Sequence, residues 1–215
     1  MHALKKSIWP LTGLLIVTPF FVYALVQWYQ ARFSKLPVFG NTMLTENGIL
    51  VQHKTDGFEF KNQNGKIFSS IELKDKIFVV NFFFTSCPTV CTNMMKHMKE
   101  VQEEFANDSR VDFISFTVDP ERDDVARLKW YAGQYDLNLS NWNLLTGNKQ
   151  EIYKLARKSF YLTAADGNGG ENDFIHSDQL VLVDIHKQIR GYYKGTDDES
   201  VVRLKKDIKK LENEK

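Results

Sequence analysis

The sequence predicts an α/β domain with a βαβ core behind one N-terminal transmembrane helix, and three observations lead there. Residues 77–84 read Ile-Phe-Val-Val-Asn-Phe-Phe-Phe, a run dominated by β-branched and aromatic side chains, as expected of a central strand buried on both faces. Soon after it, Met94, Met98, Val101 and Phe105 recur at spacings of four, three and four, which is one buried stripe of a helix. Near the start, no side chain from Ser7 to Ala31 is charged.

That uncharged run divides the chain. Residues 1–7 are a short stub, and residues 8–29 are long enough to cross a hydrocarbon layer of roughly 30 Å. Trp9 at one end and Trp28 with Tyr29 at the other fit aromatic anchoring at two interfaces. A cleaved signal peptide would have an apolar core of about 7–15 residues ending in a small-x-small site, and no such site is present. Lys5 and Lys6 balance Arg32 and Lys35, so charge does not set the topology. The short stub argues against an organelle transit peptide and points to a bacterial envelope. Residues 30–47 are expected as a linker, polar and mixed from Ser34 to Thr45, and residues 48–215 as the folded domain.

About 175 residues beyond the N-terminus suffice for one domain with a sizeable core. Lys and Arg number 28 against 27 Asp and Glu, so no strong field points to nucleic acid. Two cysteines are too few for a disulfide framework. Internal repeats and low-complexity tracts are absent.

Within the domain, Gly48–His53 and Phe58–Phe60 are short strand candidates joined at an Asp56-Gly57 turn. Asn64-Gly65 marks a second turn before Ile67-Phe68. After the central strand and its helix, Val111–Val118 reads as another strand. Val125, Leu128 and Ala132 suggest a helix capped by Asp119 or Asp123, with Pro120 in its first turn. Trp142–Leu145 is a short strand candidate, followed by a helix near Gln150–Lys158. Leu180–Ile185 and Ile189–Tyr193 read as a hairpin pair, and Asp198–Leu211 closes the chain as a helix.

The two cysteines, Cys87 and Cys91, lie between the central strand and its helix. In open α/β sheets the C-terminal edge of the strands is the usual place for chemistry, and a helix N-terminus favours a thiolate. On a helix, positions four apart share a face with Cβ atoms about 6 Å apart. Two thiolates so placed can share a soft metal ion, or close to a disulfide with some rearrangement. A purely structural bridge across so small a loop would add little stability. These residues leave metal and redox roles both open.

Histidine is the commonest candidate for a third ligand. His2 precedes the membrane run and is excluded. His97 sits six residues beyond Cys91, about 9 Å along the helix and on another face, and is expected as an ordinary exposed residue. His53 is not placed by the sequence. His176 and His186 bracket the strand at Leu180–Ile185, up to roughly 33 Å apart when extended, so at most one reaches the cysteines. A strand parallel to residues 77–84 would bring His186 there, and an antiparallel one His176. Local sequence does not decide between them.

Three blocks in order, Phe84-Thr-Ser-Cys-Pro-Thr-Val-Cys91, Thr117-Val-Asp-Pro-Glu-Arg-Asp123 and Phe174-Ile-His-Ser177, resemble the Sco/SenC copper chaperones of cytochrome c oxidase assembly. The likeness covers the domain from about Asp56 to the last helix, and a single membrane anchor precedes the blocks as in that family. It implies a thioredoxin-like fold, with a central mixed β-sheet flanked by helices, in which the strand after His176 is antiparallel. It also implies one copper ion per chain, Cu(I) or Cu(II), held by Cys87, Cys91 and His176, with the cysteine pair as a redox-active disulfide candidate. Asp119 is a candidate for tuning the site from outside, although helix capping is an equal role for it. The implied partners are the copper-centre subunit of the oxidase and an upstream copper donor. The implied location is a bacterial inner membrane, crossed once, with the soluble domain on the periplasmic side.

Two features depart from or qualify this pattern. Thr92 stands where many relatives have proline, a change that bears on helix entry. The Gly-, Asn- and Asp-rich stretch from Ala164 to Asn172 is expected as a flexible loop before His176. Met94 and Met98 belong to the buried stripe, so core packing is favoured over metal ligation. The main rival is a thiol–disulfide oxidoreductase, a reaction also proposed for relatives. Against it, the spacing is not Cys-x-x-Cys, and no proline follows Pro120, so the cis-proline that thioredoxins place opposite their cysteines is missing. A peroxidase-like thiol enzyme is a third class and would need an attacking and a resolving cysteine.

Overall fold

From Trp9 onward the uncharged N-terminal run lies in one helix, α1 (Trp9–Phe33), of 25 residues with Pro19 inside it. The computed structural model describes residues 9–33, 35–44, 48, 50–162 and 177–214. Met1–Lys35 and Leu36–Lys215 are two separate units. Leu15, Val17, Phe20 and Phe21 on α1 are exposed. Over the residues whose side chains are described, no helix is long and apolar enough to cross a membrane, so the crossing expected at residues 8–29 rests on the sequence.

In the second unit, β1 (Thr42–Leu44) pairs antiparallel with β2 (Leu50–Gln52). Residues of the segment read as a linker are tied down ahead of that hairpin. Phe39 N–H donates to the Ile189 carbonyl at 2.8 Å. The buried Arg190 guanidinium donates to the carbonyls of Leu36 (2.6 Å) and Pro37 (3.2 Å), and it bridges Asp184 and Glu214 at 2.8 and 2.7 Å. A rigid fork of donors suits such a four-way junction.

Next come β3 (Glu59–Asn62) and β4 (Ile67–Ser69), a hairpin closed at Asn64-Gly65. Gly65 adopts φ +74° there, a conformation open to glycine at little cost. The turn expected at Asp56-Gly57 does not join two paired strands. Residues 53–56 instead cross to a distant segment, with His53 Nε2 2.8 Å from the Ser159 carbonyl and Asp56 N–H donating to Ser159 Oγ at 2.7 Å. A 3₁₀ turn at Ser70–Leu73, fixed by a Ser69/Glu72 capping box, leads to β5 (Ile77–Phe83).

After β5 follow α2 (Val90–Glu104), β6 (Val111–Thr117), α3 (Val125–Gln134), β7 (Trp142–Thr146) and α4 (Lys149–Lys154), which runs on as a π-helical turn over Leu155–Ser159. The chain closes with β8 (Gln179–Val183), β9 (Ile189–Lys194) and α5 (Asp198–Leu211). The helix at residues 125–134 is capped by Asp124, which accepts the Arg127 N–H at 2.7 Å. This corrects the expected cap at Asp119 or Asp123. Residues 119–123 form a turn of their own, with the N–H groups of Arg122 and Asp123 both bonded to the Asp119 carbonyl, so Pro120 belongs to that turn.

Seven strands order as β4-β3-β7-β6-β5-β8-β9. β5, β6 and β7 run parallel, while β8 is antiparallel to β5, with Phe78 opposite Val183 and Val80 opposite Val181. Alternation along β5 explains its apolar run. Ile77, Val79 and Phe83 face a core shared with α2, α3 and α5, while Phe78, Val80 and Phe82 face one shared with α4. Burying each such side chain is worth about 1.5–3 kcal/mol. The polar exception, Asn81, is fully buried and satisfied: Ser115 Oγ donates to its Oδ1 at 2.5 Å, and Trp142 Nε1 donates to Ser115 Oγ at 2.8 Å. This network joins three adjacent strands at the middle of the sheet.

Candidate metal centre

The chain from Phe84 to Thr89 leaves the C-terminal end of β5 and enters α2 at Val90. The first N–H groups of a helix have no partner inside it. At the start of α2, Thr89 makes no side-chain cap, and Cys87 Sγ instead accepts the Cys91 N–H at 3.3 Å. Cys87 therefore acts as the cap, which is why its sulfur points at the helix end.

Both cysteines are free thiols, Cys87 half-buried and Cys91 buried. Burial works against a thiolate at Cys87, but hydrogen bonding from Cys91, and from the backbone at Thr89 and Val90, outweighs it and holds Cys87 below its ordinary value. Burial pushes the Cys91 thiol up to about 12, and the charges of Cys87 and Asp123 add to the rise. The two thiols are thus shifted in opposite directions, Cys87 down and Cys91 up.

A cavity of about 300 Å³ opens over the pair, walled by Phe82, Phe84 and Val118 and reaching Ser177 and Asp178. The last two bring in the far strand: because β8 is antiparallel to β5, its start lies at the cysteine end of the sheet. His186, at the hairpin tip after β8, lies at the other end of that strand, roughly 16 Å away, with its N–H bonded to Asp184 Oδ1 at 2.9 Å. The strand direction implied by the resemblance is the one observed. His176 itself, and the loop from Ala164 to Asn172, lie outside the described residues. Among the described residues, no group of three or more His, Cys, Asp or Glu side chains is placed to hold a metal ion.

The remaining described histidines, His53 and His97, have structural partners. His53 is buried, bonded to Ser159 and packed against Tyr161 with ring centroids 4.7 Å apart. His97 is not the ordinary exposed residue expected from its helix position, since its side chain is only 18% exposed. Its Nδ1–H donates to the Gly195 carbonyl at 2.8 Å and its Nε2 lies 3.0 Å from Asp198. That contact matters for the site, because Gly195 N–H also donates to the Asp178 carbonyl at 2.6 Å. His97 and Gly195 together link α2 to the start of β8. Met94, Met95 and Met98 are fully buried core residues.

Asp119 lies next to Val118 on the cavity wall, and its carboxylate pairs with Arg122 at 3.3 Å. The acid that reaches the cysteine loop is Asp123, which is buried and bonded to Thr85 and Thr117. Sequence reading considered Asp123 only as a helix cap. Its place at the end of the Thr117–Asp123 block was the available signal.

The family model described as SCO1/SenC matches residues 48–212. A SCO1 protein homolog of Bacillus subtilis (strain 168) is 35% identical over 161 residues, covering 74% of this chain and 83% of that one. BsSco, solved in work on a disulfide switch and described as a member of the Sco family of cytochrome c oxidase assembly proteins, superposes with a TM-score of 0.65 at 33% identity, covering 76% of this chain and 95% of that one. Bradyrhizobium japonicum ScoI with copper bound gives a TM-score of 0.58 at 26% identity, covering 74% and 99%. With the family model spanning most of its length and the cysteine loop facing the start of an antiparallel strand, this chain belongs to the SCO1/SenC family.

Proposed function

We propose that this chain is a membrane-anchored copper metallochaperone that binds one copper ion through Cys87, Cys91 and His176 for assembly of the dinuclear copper centre of cytochrome c oxidase. The observation that carries the reading is the shared cavity: both cysteines and Ser177, the residue after His176, line the same space. The donor set suits the metal, since thiolates prefer Cu(I) and imidazole accepts either oxidation state. A copper-bound relative and a relative described as an oxidase assembly protein support the choice. Copper is cargo here, handed on by ligand exchange, and no substrate is turned over. Cys87 is partly open to solvent, as ligand exchange with a donor or an acceptor requires.

The partners are the oxidase subunit that carries the dinuclear copper centre and an upstream copper donor. Residues 8–29 anchor the chain once in a bacterial inner membrane, with the domain on the periplasmic side. The uncharged sequence and exposed apolar side chains of α1 support that anchor. Asp119, beside Val118, would tune the site from behind its wall.

A second reading, reduction of disulfides in an envelope target, is favoured by one observation. Cys87 is accessible while Cys91 is buried, the arrangement of an attacking and a resolving thiol. The two are separated by titrating the reduced full chain in detergent micelles with Cu(I) under anaerobic conditions. The chaperone binds one tight copper per chain. Absence of binding together with catalytic reduction of a disulfide peptide would replace it with the reductase.

A further inference from the structure

Asp123 is 1% exposed, and every bond it accepts comes from the base of the cysteine loop or the strand beside it. Its Oδ2 accepts the Thr85 backbone N–H at 3.0 Å and the Thr117 hydroxyl at 2.5 Å, and its Oδ1 accepts the Thr85 hydroxyl at 2.5 Å. The same Thr85 oxygen accepts Arg127 Nε at 2.9 Å. Helix capping does not use Asp123, because Asp124 caps α3. A buried carboxylate is costly, and an apolar residue would serve packing as well. Two of these three bonds come from Thr85, two residues before Cys87, and the third from Thr117 on the adjacent strand. The loop between β5 and α2 is thus held by Asp123 at Thr85, by the Cys87 N–H on the Phe84 carbonyl at 3.3 Å and by the Cys91 N–H at Cys87 Sγ.

We propose that Asp123 is a positioning residue for the Cys87–Cys91 pair, acting through Thr85 to hold the loop so that both sulfurs face one ligand or each other. Its role towards copper rests on the metal site proposed above, whereas its role towards the thiols does not. In exchange with glutathione, the two protein thiols give two electrons and two protons to one glutathione disulfide. The Cys87–Cys91 bond forms, and two glutathione thiols leave. Loosening the loop lowers the effective concentration of one thiol at the other and so lowers this equilibrium constant.

The test uses the full chain in detergent micelles with Asp123→Asn, Thr85→Val and the double variant. Thr85→Val removes the hydroxyl and keeps the backbone donor. Each single substitution is expected to lower the glutathione equilibrium constant by about tenfold and to weaken Cu(I) binding, measured by chelator competition, by about tenfold. The double variant should be no worse than the poorer single one, because both act on one path. Lower melting temperatures with both constants unchanged would reduce Asp123 to a structural role and overturn the proposal. If Asp123→Asn does not fold, Thr85→Val decides by the same two readouts. A wild-type chain that binds no copper, with variants that still shift the glutathione equilibrium, would remove the metal site and leave the positioning role standing.

Discussion

Gly195 sets the distance between the helix that carries Cys91 and the strand that follows His176, and Gly195→Ala measures how tightly. A Cβ there would lie 2.7 Å from Met94 Cγ, 3.0 Å from the Asp178 carbonyl oxygen and 3.1 Å from Leu180 Cγ. Ordinary contact begins near 3.4 Å, so Met94 must yield by about 0.7 Å and Asp178 by about 0.4 Å. Met94 and Leu180 are fully buried, and interiors are close-packed. Asp178 can retreat by that much, since its 2.6 Å bond from Gly195 N–H would only lengthen to an ordinary value, so the strain falls chiefly on the packed side chains of Met94 and Leu180. Overpacking of this kind costs about 1–3 kcal/mol. At ~2 kcal/mol, and with a urea slope of about 2 kcal/mol/M, the unfolding midpoint should fall by about 1 M. Near-UV circular dichroism of the full chain in urea reads this directly. Because Asp178 lines the cavity, Cu(I) affinity should fall as well, by roughly tenfold for a sub-ångström displacement. A midpoint moved by no more than about 0.25 M, with copper affinity intact, would show that this glycine does not set the spacing.

Hydrogen bonding holds Cys87 below its ordinary value despite burial, whereas burial pushes Cys91 up to about 12. Limiting iodoacetamide at about pH 7 should therefore modify Cys87 and spare Cys91 until the chain is unfolded. Equal labelling of the folded chain, read by peptide fragmentation, would contradict the assignment. Near the C-terminus, burial and the neighbouring Asp108 push Glu212 from 4.5 up to about 7. Its contribution to stability is then present below pH 4.5 and is lost as pH rises through 7. Asp108, held below the usual carboxylate range by its bond from Arg110, acts in the opposite sense and loses its contribution as pH falls below 3.8. Glu212→Gln keeps a donor towards Asp108 without a titrating proton. Relative to wild type, its melting temperature should improve from about pH 5 to about pH 8. Parallel curves would contradict the raised titration of Glu212.

Much of the fold was legible because burial writes a period into the sequence. β5 and α2 were visible from the run at residues 77–84 and the stripe Met94, Met98, Val101 and Phe105, and both are where that pattern put them. Pairing was harder to read. The direction of β8 is set by its ladder with β5, about a hundred residues away, and no local pattern encodes it. The resemblance supplied that direction. The cap of α3 was misread because three aspartates lie within six residues, each a good cap by local chemistry. Asp123 is withdrawn from that role by bonds to Thr85 and Thr117, which only the fold brings near. His97 was misjudged for a similar reason. Its face of the helix is covered by the turn at Gly195, an element almost a hundred residues later in the chain.

If two sulfurs and one imidazole hold the copper, X-ray absorption at the copper edge counts those atoms most directly. The full chain, reduced and loaded with one Cu(I), is predicted to show two sulfur ligands and one nitrogen ligand per copper. His176→Ala should remove the nitrogen contribution and keep both sulfurs. A shell of sulfur alone in the wild type, or a nitrogen contribution that survives His176→Ala, would contradict the site proposed here.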